Sequence, residues 1–113
     1  MEKTAQKIDP VEIAGIIALD IASRLGHQVD ATPSDVLERG KDIYFKMNLE
    51  QSFGIFAMVI KSAQISVHAA VCDDGSIWVK VDLDYAHPSG GTNGSSIGTY
   101  WMRDGQIENF REN

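Results

Sequence analysis

Between residues 77 and 85 the chain alternates without a break. Ile77, Val79, Val81, Leu83 and Tyr85 fall on one parity, and Trp78, Lys80, Asp82 and Asp84 on the other. A period of two is the signature of a strand with one covered face, because successive side chains leave a pleated backbone on opposite sides. A chain with such a segment must provide an apolar layer for the first set and leave the second to solvent or a partner. Asp74-Gly75 just upstream signals a tight turn, and before it Ile65, Val67, Ala69 and Val71 alternate with Ser66, His68, Ala70 and Cys72. The two segments together predict an antiparallel hairpin.

The same period recurs from Asp42, where Ile43, Phe45, Met47 and Leu49 oppose Tyr44, Lys46 and Asn48. Residues 53–60 are continuously apolar, as a central strand covered on both faces would be, with a buried helix as the alternative. The segment 87–94 is too rich in Gly and Pro to continue a ladder and reads as a long exposed loop. Residues 97–102 then predict a fifth strand, Arg103-Asp104-Gly105-Gln106 a hairpin turn, and residues 107–110 a short sixth strand.

The N-terminal third obeys a different period. Asp9 can accept from free helix amides, Pro10 suits the first helical position and Glu12 follows three residues after the cap, so a helix is expected from residue 10 to residue 25, closed by Gly26. At 100° per residue, Glu12, Asp20, Ser23, Arg24 and His27 share a polar arc opposite Ile13, Ala14, Ile17, Ile21 and Leu25. Val11, Gly15, Ala18, Leu19 and Ala22 widen the apolar arc, which predicts cover on two sides of the helix. Gly15, Ala18, Ala22 and Gly26 make a ridge of small residues, expected to pack on the chain's own sheet or, with lesser weight, to form a dimer seam. Thr32-Pro33-Ser34-Asp35 repeats the helix-start grammar and Gly40 the stop, which predicts a short second helix at residues 33–39.

The expected fold is therefore α+β: a helix at residues 10–25 and a short one at 33–39, packed on one face of an antiparallel meander of five to six strands. This order of elements is similar to that of cystatin-like and NTF2-like sheets, a likeness of order alone that carries over no functional residue. The 113 residues suit a single domain spanning 1–113, and 43% hydrophobic content is enough for a core without staples.

Ten basic against sixteen acidic side chains leave a net charge of -6, which repels nucleic-acid phosphates and argues against a nucleic-acid partner. Residues 1–7 show no secretory pattern, and residues 51–72 are broken by Ser62, Gln64, Ser66 and His68, so no membrane span is expected. The single cysteine, Cys72, cannot form an internal disulfide and fits a reducing, cytoplasmic setting. Asp73 and Asp74 beside it oppose a thiolate, so it reads as a small hydrophobe.

Chemistry has few candidates. Asp82, Asp84 and His87 have a spacing that suits a hard cation, but the pattern is common by chance and Lys80 can neutralise Asp82, so neither metal nor cofactor is expected. No serine sits in a nucleophile-elbow context, and the glycine-rich residues 89–96 lack the lysine of a phosphate loop; no catalytic residue is assigned. They remain a candidate contact loop, with Asn93 in it.

What stands out is Trp78 on the polar parity of its strand, an aromatic anchor with acids around it. Whether that face is open or covered by a second layer is left undecided by the sequence. The expected partner-binding residues are Trp78, Asp73, Asp74, Asp82, Asp84 and Asn93. The expected function is that of a non-catalytic acidic protein-binding domain, of the inhibitor or immunity class, covering a basic surface of a larger protein. The alternatives are a self-associating subunit forming a homodimer, and a small-ligand cone between helix and sheet.

Overall fold

A computed structural model describes residues 8–26, 28–49, 63–86 and 92–112. It contains a helix, α1 (Pro10–Leu25), followed by six strands: β1 (Ser34–Arg39), β2 (Asp42–Asn48), β3 (Ala63–Val71), β4 (Ile77–Ala86), β5 (Thr92–Arg103) and β6 (Gln106–Glu112). The strands form one sheet in the order β1-β2-β3-β4-β5-β6, each antiparallel to its neighbour in sequence. The α+β class and the antiparallel meander are as the sequence predicts. No described helix is long and apolar enough to cross a membrane.

The start and stop of α1 also follow the sequence. Asp9 Oδ1 accepts from the Val11 amide at 3.0 Å, Pro10 occupies the first turn, and Gly26 closes the helix at φ 73, its amide donating to Ala22 O. An alanine at Asp9 is expected to leave the Val11 amide without that acceptor and to lower stability by about 1 kcal/mol; thermal unfolding of the variant checks it.

The helix is covered on one side only, not two. Ile13, Ala14, Ile17, Ala18 and Ile21 are buried against the sheet, whereas Val11 and Leu19 are 64% and 75% exposed. The isoleucines form most of the seam and Ala18 alone of the ridge of small residues joins them: a side-chain carbon added at Gly15 would meet nothing, and Ala22 and Gly26 are exposed. Ile43, Phe45 and Met47 of β2, Ile65, Val67 and Ala69 of β3, Val79 and Val81 of β4, and Tyr100 and Met102 of β5 complete the core. For β2, β3 and β4 these are the parities assigned from the alternation; in β5 the structure selects Tyr100 and Met102 for the core. Where the small-ligand cone was expected, core side chains fill the centre of the helix–sheet interface, and a cavity of about 190 Å³ stays open between α1 and β5–β6, lined by Ile21, Arg24, Ile97, Tyr100, Phe110 and Glu112.

The second helix does not form. Residues 34–39 are β1, which turns back on β2 through Gly40-Lys41, with Gly40 at φ 60 and Arg39 opposite Asp42. The helix-start grammar is spent otherwise: Asp30 Oδ1 accepts from the Thr32 amide, and the Ser34 hydroxyl donates across the ladder to Lys46 O at 3.1 Å. Edge pairing with β2 satisfies more backbone groups than a two-turn helix, whose ends would leave most of its amides and carbonyls without partners.

Two boundaries also differ. The ladder continues into the glycine-rich segment, since β5 begins at Thr92 and pairs Tyr85 with Asn93 and Asp84 with Gly94. Residues 92–96 of the expected contact loop are therefore strand, and residues 87–91 lie outside the described residues, as does His87. Likewise β2 pairs directly with β3, so no strand intervenes; the segment 53–60, expected to be central, lies outside the described residues.

Candidate functional site

One face of the sheet belongs to α1 and the core. On the other, no described element packs, so Trp78 stands on an open face. The register assembles that face from residues scattered through the sequence. Reading across the strands, one row runs Arg39, Asp42, Ala70, Trp78, Trp101, Asn109. The next runs Leu37, Tyr44, His68, Lys80, Thr99, and a third Ser34, Lys46, Ser66, Asp82, Ser96. Residues opposite one another in neighbouring strands have Cβ atoms ~5 Å apart, so each row is a line of touching side chains.

Apolar groups make a diagonal path through these rows. Leu37 and Tyr44 are cross-strand partners, and both are exposed, at 47% and 37%. The Tyr44 ring stacks on His68 at 4.3 Å and 18°, and His68 meets Trp78 edge-on at 5.0 Å. Trp78 in turn lies opposite Trp101. Tyr100 and Trp101 point to opposite faces, as their adjacency requires, Tyr100 entering the core.

His68 is fixed as well as stacked. Its Nε2 lies 3.0 Å from Asp42 Oδ1, a contact that needs the ring proton on Nε2. Beside it a groove of about 380 Å³ opens, with Tyr44, Lys46, Ser66, His68, Lys80 and Asp82 among its walls. Ser66 donates a short hydrogen bond to Asp84 Oδ2. Lys46, Lys80 and Asp82 are different: among the described residues their side chains make no hydrogen bond and no ion pair. Lys80 does not neutralise Asp82, as the sequence suggested it could.

The expected partner-binding acids do not form one patch. Asp73 and Asp74 sit in the β3–β4 turn, next to the Trp78 end of β4, while Asp84 is six residues beyond Trp78, ~20 Å along the strand. Asp74 is also engaged within the chain. It accepts from the Ser76 amide and hydroxyl and pairs with Arg103 Nη2 at 3.1 Å, and the Ser76 hydrogen bonds above all hold its carboxyl below the ordinary aspartate range. Asn93 is opposite Tyr85, at the Asp84 end. The open face thus carries Trp78 and Asp82 with Asp84, its rim carries Asp73 and Asp74, and basic side chains stand between them.

Tyr44, His68 and Lys46 were missed as site residues. Their parity was legible, but their company was not: with a central strand expected between them, nothing joins Tyr44 to His68. No group of three His, Cys, Asp or Glu able to hold a metal occurs among the described residues. No Ser, Thr or Cys hydrogen-bonds His68 there either, so the histidine–aspartate pair faces no nucleophile.

No protein-family model, curated protein or solved structure matches the chain.

Proposed function

We propose that this chain is a non-catalytic protein-binding domain that docks through the open face of its sheet. The observation that carries the reading is the path Leu37, Tyr44, His68, Trp78, Trp101, an apolar line across the face with no described element over it. Tyr and Trp are the side chains that anchor protein interfaces, since they bury much area at little entropic cost. Their neighbours here are held in place by stacking and by Asp42, so little ordering is left for binding to pay.

The sheet edges favour the face over strand addition. At one edge β1 is bulged between Ser34 and Leu37 with Asp35 at φ 52; at the other, the β5–β6 ladder is bulged between Trp101 and Met102. Bulges and charges of this kind blunt an edge against a further strand.

The partner class that suits a net charge of -6 is a larger protein with a basic functional surface, and the chain would act on it as an inhibitor or immunity-type factor. Asp73 and Asp74 at the rim and Asp82 and Asp84 on the face steer the approach, and Trp78 supplies buried area. We place the encounter in the cytoplasm, where a lone cysteine stays reduced. The test is capture from a lysate at low and high salt, followed by titration of the recovered partner. Trp78→Ala is expected to weaken binding about 30-fold or more, the ~2 kcal/mol of an interface anchor. Unchanged affinity in that variant would remove the open face from the binding reading.

A further inference from the structure

The groove beside His68 holds charges of both signs with no internal partner, and this decides what surface fits it. Lys46 on β2 and Asp82 on β4 flank Ser66 of β3 in one row, and neither side chain makes an ion pair or hydrogen bond among the described residues. At this row a surface of one sign would match one and repel the other, so a basic partner has to engage the acids elsewhere on the face and rim. A surface carrying a cation and a carboxylate at the same spacing, in reversed order, matches both. This face supplies that surface itself.

We propose that the resting occupant of the open face is a second copy of this chain, related by a two-fold axis running along β3. The inference rests on the docking reading above and names its occupant in the absence of any other protein. Rotation about β3 lays β4 of one protomer over β2 of its partner. Lys46 then faces Asp82 of the partner subunit, and Asp82 faces the partner's Lys46, so that one geometry satisfies both charges twice, as an isologous contact must. The row beside it sets the exposed Tyr44 ring against the partner's Lys80, and the outer strands set Arg39 against the partner's Trp101. Both are pairings of a cation with an aromatic ring.

With the axis on β3, strands β1 to β5 of the two protomers overlie one another. Five strands ~4.8 Å apart, with about seven residues of ~3.3 Å each, span roughly 19 by 23 Å in projection. Even with side-chain relief this is smaller than the ~800 Å² per protomer of a standard interface, so the expected dimer is weak and concentration-dependent. A larger partner then has to displace the second copy, which makes its binding depend on the concentration of the chain.

The test is sedimentation equilibrium on the full chain and charge-reversed variants. Because the Lys46 and Asp82 side chains make no ion pair or hydrogen bond among the described residues, their reversal should leave the fold intact, which circular dichroism checks. The wild type is expected at twice 12.4 kDa at about 100 µM. Lys46→Asp and Asp82→Lys, each placing like charges opposite one another, should each weaken association about tenfold or more. The combined Lys46→Asp, Asp82→Lys variant should recover it, since each altered side chain again meets its opposite. A monomeric wild type, a dimer indifferent to both single reversals, or a double variant no tighter than the singles would each overturn the proposal. A monomer that still loses a captured partner on Trp78→Ala overturns only self-association; a monomer for which Trp78 is irrelevant ends the docking reading too.

Discussion

Alanine in place of Tyr100 is expected to remove about 3–5 kcal/mol of folding free energy, a large share of what a domain of this size possesses. Tyr100 is fully buried, its ring lies 4.6 Å from that of Phe110, and its hydroxyl donates to Asp20 Oδ2 at 2.5 Å. The same carboxylate oxygen accepts from Arg24 Nε at 2.6 Å, and Arg24 lies over the Phe110 ring at 4.1 Å. One side chain therefore joins the helix to β5 and β6, and truncation opens a cavity there and strands part of Asp20. Tyr100→Phe isolates the hydroxyl and should lose about 1–2 kcal/mol. A second readout separates the two roles. Burial first, then the hydrogen bond to Asp20 and its charge, raises the Tyr100 pKa well above its ordinary value. A group whose folded pKa is raised stabilises fully below the unfolded value and loses that contribution as pH rises past it, so stability should fall above pH about 10. The slope should be shallower in Tyr100→Phe. Denaturant titrations at neutral and alkaline pH measure both, and a phenylalanine variant as alkali-sensitive as wild type would refute the assignment.

The second large effect comes from the smallest residue. Gly98 lies within β5, opposite Val81 on one side and Glu112 on the other. A methyl group there would come within 2.5 Å of the Arg111 carbonyl oxygen and 2.7 Å of the Phe110 ring. The nearer obstacle is backbone, which cannot rotate aside, so Gly98→Ala is expected to displace β6 and lower stability by about 3 kcal/mol. Amide exchange in residues 106–112 should accelerate first, because the strand next to the clash is at the sheet edge. Equal melting temperatures for the variant and the wild type would show that β6 yields without loss.

What the sequence revealed depended on whether the information was local. The caps of α1 and the parities of β2, β3 and β4 are written in neighbouring residues, and those readings agree with the structure. The segment 34–39 failed because its cap-like residues also suit a hairpin, and the choice was made by β2, which no local rule consults. The face suffered in the same way. Trp78 could be assigned to the polar parity from β4 alone, but its link through His68 to Tyr44 needs β2 beside β3, a fact of register. Asp73, Asp74, Asp82 and Asp84 are close in sequence, but the extended β4 separates them, with Asp73 and Asp74 in the turn before it, Asp82 in its middle and Asp84 toward its far end.

The sheet order has a consequence for how the chain reaches this state. Every described strand pairs only with its sequence neighbours, so the sheet can grow hairpin by hairpin, with the longest connection to close between β2 and β3, at residues 49–62. The helix precedes all six strands in the chain, yet its link to Tyr100 spans 80 positions. During synthesis the isoleucine seam of α1 must therefore wait for β5, and the same seam is the surface most open to misassociation in that interval.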